Sequence, residues 1–548
     1  VPSDETMPRR AAGAGEPPRA PGRRAVLALA VPMLGGCTMV GPDFARPPAQ
    51  LDTSWAAAPN LPVSACVPSA TTTCPPADTA WWRSLNDPTL NRLIETAAAQ
   101  NLTLQRAGVR VLQARAVLAA TVGAYYPQQQ QAYGLLLAER ANTNNAGGIA
   151  GGTRSYNLGR AGITAAWEID FWGRFRRAIE ASDADLVASI ADYDNAMVSL
   201  LSDVAATYVN MRGLEARLAI TKANINLQRQ SLRIARVRFR EGATSERDPD
   251  QAQSQLSGTE ALVPGLEAQI ERARNALAVL LGVTPAEVRP LLQPGPIPRP
   301  RLMVATGVPA DLLRRRPDLR LTIANAAAQS ARVGVARADL FPAFSISGSF
   351  GFLATDAGSL RLNSGGAWRN STSFTAGPSV VWNILNWGQI TNQVRAQDAV
   401  LQAALLTYQQ AVLQAQREVE DGLAAFAGAQ QAAVSLRRAV AASRRAAAVS
   451  LTQYEQGQTD YTTVLLSQRI LLEYEDQLAI AETDIPQGLI SVYRALGGGW
   501  EIREGRPLVT EATRRQMALR TDWGPLLDYD DGRLTPPRTQ GLLPQPTF

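Results

Sequence analysis

Residues 173–241 run for 69 positions without a proline, and across them Val204, Met211, Leu218, Ile225, Leu232 and Phe239 recur at every seventh residue. Val419, Phe426, Ala433, Val440, Ala447 and Tyr454 repeat the pattern 215 residues later. A sustained seven-residue apolar repeat predicts helices that supercoil against neighbours. At 1.5 Å per residue each helix would be ~100 Å long, far beyond the diameter of a globular domain. The chain must therefore build an elongated, mostly helical body.

The spacing of 215 extends well beyond the heptads. Pro127 matches Pro342, Trp167 matches Trp382, Trp172-Gly173 matches Trp387-Gly388, Gly242 matches Gly457, and Leu281-Gly282 matches Leu496-Gly497, with no gap required. This period is too long for a solenoid, whose repeats span ~20–50 residues. Two large copies side by side are expected.

Before each long helix the periodicity changes. Phe344, Ile346, Phe350 and Phe352 alternate with serine and glycine, and a second strand-like run spans Ser373 to Leu385. Weaker equivalents lie at Gln128–Glu139 and Arg154–Ile169, around a glycine-rich loop at Gly147–Gly152. Alternation of bulky apolar with small polar residues suits a strand with lipid or core on one face and water on the other. Tyr125, Tyr126, Trp167, Phe171, Trp172, Phe341, Trp382 and Trp387 gather at the strand ends, as an interfacial aromatic girdle would. Four strands cannot close a barrel, since the smallest that fills its own interior has ~8. Lipid does not tolerate open sheet edges, so a membrane barrel from this chain must be shared between copies. The fold class is thus mixed and mostly α, long coiled-coil helices joined to a transmembrane β-barrel to which each chain gives four strands.

Each long helix ends at a glycine, Gly242 or Gly457, and a return segment of about 40 residues runs to Gly282 or Gly497. Helical segments at Pro88–Gly123 and Pro309–Leu340 lead to the strands, so that two half-length helices end to end match one full-length helix. The Pro-rich run Pro290–Pro300 lies where the halves meet.

The chain contains no histidine, which excludes Ser-His-Asp, Cys-His and histidine–zinc chemistry. Its three cysteines cannot form a four-cysteine metal or cluster site. No constellation of polar residues stands out as catalytic, so no enzyme, metal or cofactor is expected. The formal charge of +6 over 548 residues, with Lys222 the one lysine and the arginines dispersed, offers no phosphate-binding stripe and argues against nucleic acid.

The N-terminal residues indicate a compartment. Arg19, Arg23 and Arg24 precede an apolar run from Ala25 to Leu34 that ends in Leu34-Gly35-Gly36-Cys37. The run is too short to span a bilayer and has the layout of an export signal. Leu-Gly-Gly-Cys resembles a bacterial lipobox, which implies that Cys37 carries diacylglycerol and an N-acyl (palmitate) chain. Thr38, in place of an aspartate, implies sorting to the outer membrane. In the oxidising periplasm, Cys66 and Cys74 in their Pro/Ser/Thr loop are candidates for a local disulfide.

Val40-Gly-Pro-Asp-Phe-Ala-Arg-Pro47, Trp81-Trp82, Arg315-Arg-Pro-Asp-Leu319, Ala338-Asp-Leu-Phe-Pro342 and the duplication together resemble the outer-membrane factor family (TolC/OprM-like). The resemblance is to its lipoprotein branch, the outer-membrane subunits of tripartite efflux systems, and covers about Cys37 to Trp500. It implies a homotrimer in which three sets of four strands close a twelve-stranded transmembrane β-barrel and the helices form a coiled-coil helical barrel, a tunnel through the periplasm, with a periplasmic adaptor (membrane fusion protein) and an inner-membrane resistance-nodulation-division pump as partners. It divides the chain into a signal peptide (1–36), an N-terminal periplasmic segment (37–87), a first repeat (88–282, strands about 128–170), an equatorial connection (283–308), a second repeat (309–497, strands about 343–385) and a C-terminal periplasmic tail (498–548).

The resemblance also places Phe239-Arg-Glu-Gly242 and Tyr454-Glu-Gln-Gly457 at helix-turn tips that meet the adaptor and close the periplasmic entrance. Asp248 and Asp460 are the acidic candidates for the gate. At the position where relatives carry an acidic ring, this chain has Leu466, which points to an apolar constriction or to Asp460. The cluster Arg314-Arg315-Arg316 reads as a feature of a helix start rather than a ligand site. A type I protein-secretion duct of the same fold is the main alternative, and a periplasmic coiled-coil adaptor is a further one.

Overall fold

The computed structural model describes residues 39–52, 55, 79–140, 155–300, 315–355 and 371–527. Cys37, Cys66, Cys74, Arg314, the signal segment and the Gly147–Gly152 loop lie outside the described residues. In chain order the elements are α1 (Pro88–Gln100), α2 (Leu102–Gly123), β1 (Gln129–Arg140), β2 (Ser155–Ile169), α3 (Arg174–Arg240), α4 (Arg247–Glu260), α5 (Leu262–Leu281), α6 (Pro285–Val288), α7 (Pro317–Ala338), β3 (Ala343–Thr355), β4 (Thr372–Val381), α8 (Gln389–Glu455), α9 (Tyr461–Ala495) and α10 (Glu511–Arg520). The protein is mostly helical with one small antiparallel sheet.

Helices α3 and α8 are each 67 residues long, about 100 Å. Most of their heptad positions are buried as the pattern requires, with Val204, Met211, Val419, Phe426 and Ala433 at 0% exposure, while Leu218 is half-buried and Phe239 is exposed. Near the sheet, α3 packs on α2 and α7, and α8 packs on α7. Further along, α3 meets α4, α5 and α9, and α8 meets α9.

Two expected helices are divided. The segment from Pro88 breaks at Asn101, whose backbone is extended (ψ 127°) and whose side chain accepts from the Leu104 amide to cap α2. The return segment after Gly242 divides at Ala261 into α4 and α5, three residues before Pro264. A proline cannot supply the amide that a continuous helix would use. Its counterpart α9 nevertheless runs unbroken for 35 residues with Pro486 inside. The last strand stops at Val381, short of the expected Leu385.

The sheet has the order β1-β2-β3-β4, all neighbours antiparallel. No described helix covers it, and Leu136, Ile163, Ile346, Phe350 and Phe374 are exposed on it. Aromatic residues tie the strand ends to the helix ends beside them through paired bonds. The Trp167 indole donates to the Tyr125 carbonyl at 3.2 Å, and the Trp382 indole donates to the Leu340 carbonyl at 3.1 Å. The Trp172 ring stacks on Phe341 at 4.6 Å.

The N-terminal Val-Gly-Pro-Asp segment threads between α3 and α7. Gly41 has φ +105°, and a Cβ there would fall 2.4 Å from the Gly334 Cα, so two glycines permit the crossing. Arg177, 3% exposed, then binds the Asp43 carboxylate at 2.6 Å and the Val40 carbonyl at 3.3 Å. Around the middle of the molecule Trp81 stacks on Tyr493 at 5.4 Å, and Trp82, Leu85 and Leu90 complete a packed belt. Arg316 occupies the position just before α7 and is buried against Asp318, Glu418 and the Ala495 carbonyl, a structural role for this member of the arginine cluster.

Helices α8 and α9 cross at Gly488, where a Cβ would lie 2.8 Å from both the nitrogen and the Cα of Phe426. Backbone cannot yield as a side chain can, so Gly488→Val should destabilise the protein by about 1–3 kcal/mol. Gly428 faces open space, and Gly428→Ala should be neutral or stabilising through helix propensity. Melting temperatures of the two variants check both; equal values would contradict this account of the crossing.

Candidate functional site at the helical tips

Both long helices end in the same backbone device. In the first, the Gly242 amide donates to the Phe239 carbonyl at 3.0 Å and the Ala243 amide to the Arg238 carbonyl at 2.8 Å. In the second, Gly457 donates to Tyr454 at 3.0 Å and Gln458 to Gln453 at 2.8 Å. This paired bonding needs a left-handed residue, and Gly242 and Gly457 supply it with φ of +72° and +74°.

The two turns differ in what precedes the glycine. Phe239 is 41% exposed, whereas Tyr454 is 1% exposed. Tyr454 joins Ile225, Leu232, Leu256, Tyr461 and Val464 in a small apolar cluster that fills the tip. Its ring meets Tyr461 edge-on at 5.2 Å and carries the Arg238 guanidinium at 4.6 Å.

Asp248, near the start of α4, is buried inside this cluster. Its carboxylate accepts from the Tyr454 hydroxyl at 3.0 Å and from the Thr244 hydroxyl. Burial, and then the adjacent Asp248 charge, push the Tyr454 phenol up to about 12, so it remains a protonated donor throughout the neutral range. Asp248 is thus buried and bonded to partners within its own chain.

Asp460 is also accounted for locally. It caps α9, accepting from the Thr463 amide at 3.0 Å and the Thr463 hydroxyl at 2.8 Å, and these bonds hold its exposed carboxyl below the usual range. Leu466, in the second turn of α9, is 55% exposed. Leu466, the residue that the resemblance sets at the gate position, is thus an open apolar side chain.

Above the tips, each hairpin is braced by ion pairs between its long helix and its return helix. Lys222–Glu267 at 2.9 Å and Arg229–Glu260 at 2.8 Å brace the first. Arg437–Glu482 at 2.9 Å and Arg444–Glu475 at 2.6 Å brace the second. The hairpins are joined to one another by polar bonds. Arg217 grips Asp476 at 2.6 and 3.0 Å, the Asn224 amide donates to Glu475 at 2.8 Å, and Gln468 donates to Ser231. With Tyr454–Asp248 this makes a seam of polar contacts between the two hairpins, whose tips share one apolar cluster. Sequence reasoning identified Asp248 and Tyr454 separately but missed their pairing, and it missed Arg238, Tyr461 and Glu475, none of which carries a local signal.

Comparison with known proteins agrees with this architecture. The outer membrane efflux protein family matches residues 93–283 and 308–498. Nodulation protein T of Rhizobium leguminosarum bv. trifolii is 27% identical over 469 residues, covering 85% of this chain and 96% of that protein. The pyoverdine export outer membrane protein OpmQ of Pseudomonas putida is 29% identical over 428 residues, covering 77% and 89% respectively. The solved structure of the outer-membrane channel OprN superposes with a TM-score of 0.76 at 33% identity, covering 84% of this chain and 99% of that one. The long paired helices, the four-stranded sheet and these matches together place the chain in the outer membrane efflux protein family.

Proposed function

We propose that three copies of this chain assemble into a continuous duct, whose twelve strands close a barrel in the outer membrane and whose helices form a tunnel below it. The chain is an outer-membrane efflux protein and not an enzyme. The observation that carries the trimeric reading is the sheet: β1 and β4 each have one edge unpaired among the described residues, and exposed apolar residues stud a sheet that no helix covers. Such edges are untenable in lipid unless copies pair with one another. No described helix is long and apolar enough to cross a membrane.

The duplication supports the same design. The starts of α3 and α8, and their ends, are both 215 residues apart, as are the starts of the two family matches. The bracing pairs Lys222–Glu267 and Arg437–Glu482 obey the same spacing. Two similar halves per chain give a trimer six near-equivalent sectors around one axis.

A periplasmic adaptor would engage the tips at Gly242 and Gly457, and an inner-membrane pump of the resistance-nodulation-division type would supply the exported small molecules. The relatives named for pyoverdine export and for solvent and toluene efflux support small-molecule export over protein secretion. With Asp248 turned inward and Asp460 serving as a cap, closure at Leu466 is read as apolar, a ring that excludes water and resists salt.

The full chain should purify from outer-membrane extracts as a trimer by mass measurement in detergent. A stable monomer in detergent-free buffer would refute the shared barrel. Lipid anchoring at Cys37 has its own test: Cys37→Ser should abolish incorporation of labelled palmitate, while labelling that persists in the variant would place the anchor elsewhere.

A further inference from the structure

A pocket of about 490 Å³ opens between α3, α5 and the Pro-rich connection after α6, lined by Arg212, Arg274, Arg289, Leu292, Pro294 and Ile297 among others. Its charged lining residues Arg212, Glu215, Arg274 and Arg289 belong to a chain of five groups that Glu271 completes from outside the lining. Glu215 bridges Arg212 (2.6 Å) and Arg274 (3.0 Å), and Glu271 bridges Arg274 (2.8 Å) and Arg289 (2.9 Å). Every carboxylate oxygen of the chain is engaged, while both ends are guanidiniums, so the five groups together carry one positive charge in excess.

The excess has a location. Arg212 is 2% exposed and is fully occupied by Tyr208, Glu215 and the Gln293 carbonyl. Arg289 is the open end: its side chain is 65% exposed and one Nη reaches Glu271. Facing this end, Leu292, Pro294 and Ile297 offer an apolar wall within a volume that suits a small organic molecule. The duplicated architecture does without the network, because the positions 215 residues further on hold Ala427, Gln430, Pro486, Leu489 and Glu504. The helical hairpin therefore does not require these charges in order to fold.

We propose that this equatorial pocket binds a small organic monoanion, its carboxylate paired with Arg289 and its apolar body against Leu292 and Ile297. An Arg–carboxylate pair is charge-assisted and geometrically matched, and the neighbouring wall removes apolar surface from water. The site is separate from the tips and does not depend on how the entrance closes.

The test uses the full chain in lipid nanodiscs, titrated with 4-fluorocinnamate while fluorine line broadening is followed. Saturable broadening is expected for the acid and not for 4-fluorocinnamamide, which has the same apolar body and enters lipid at least as readily but lacks the charge. Arg289→Gln should weaken binding by ~tenfold or more, Arg289→Lys should retain part of it, and Ile297→Asp should abolish it by placing a like charge on the apolar wall. Arg437→Gln, in the other hairpin, should change nothing. Equal binding of acid and amide, or undiminished binding by Arg289→Gln, would overturn the proposal.

Discussion

Arg503→Met is expected to lower the unfolding free energy by about 3–5 kcal/mol, the penalty of leaving a buried carboxylate short of its partner. The carboxylate is Asp194 on α3, which has no solvent exposure. Arg503 donates to both of its oxygens, and Arg320 of α7 reaches it at 3.2 Å. The Trp500 ring lies 5.2 Å from the Arg320 guanidinium and 5.4 Å from that of Arg503, so the charges are shielded as well as paired. This knot ties the chain after α9 back onto both halves of the body. Asp194→Asn with Arg503→Met should be less destabilising than the sum of the single changes, because the double variant removes the orphaned charge along with its partner. Denaturant unfolding in detergent measures all three, and a loss below about 1 kcal/mol for Arg503→Met would show that Asp194 is satisfied without it.

Tyr454→Phe is expected to open the periplasmic end. The hydroxyl it removes donates to Asp248 across the two hairpins, and a bond to a charged acceptor contributes about 1.5–3 kcal/mol. A contact present in the closed arrangement and lost in the open one shifts the equilibrium by that amount, or ~10–150-fold in the ratio of states. Conductance in planar bilayers should rise accordingly for Tyr454→Phe and for Asp248→Ala, and the double variant should exceed neither single one by much. Since the phenol stays protonated up to about 12, the effect should be the same at any pH from 6 to 9. A Tyr454→Phe duct with wild-type conductance would dissociate this bond from closure.

How much of this was legible beforehand differs between the body and the site. Helix length and the reversals at Gly242 and Gly457 follow from local rules: a heptad marks a buried face wherever it occurs, and a left-handed turn calls for glycine. The strands followed from alternation, although their ends drifted, because Val381 and Leu385 are equally apolar and only pairing with β3 decides where the ladder stops. The division at Asn101 was missed because a cap and a mid-helix asparagine look alike until the backbone turns.

The site required the folded chain. Asp248 and Tyr454 are 206 residues apart, and Asp194 and Arg503 are 309 apart. Nothing in the neighbourhood of any of these residues signals its partner. Asp460 shows the same limit from the other side: that its carboxylate holds the first turn of α9 is seen only in the folded chain. The sequence by itself determined the periodic elements, since repeats of seven and of two act through adjacent turns and residues. Only the tertiary structure decided which charges face each other, because a polar pair is specified by the packing of whole helices and leaves no periodic trace in the chain.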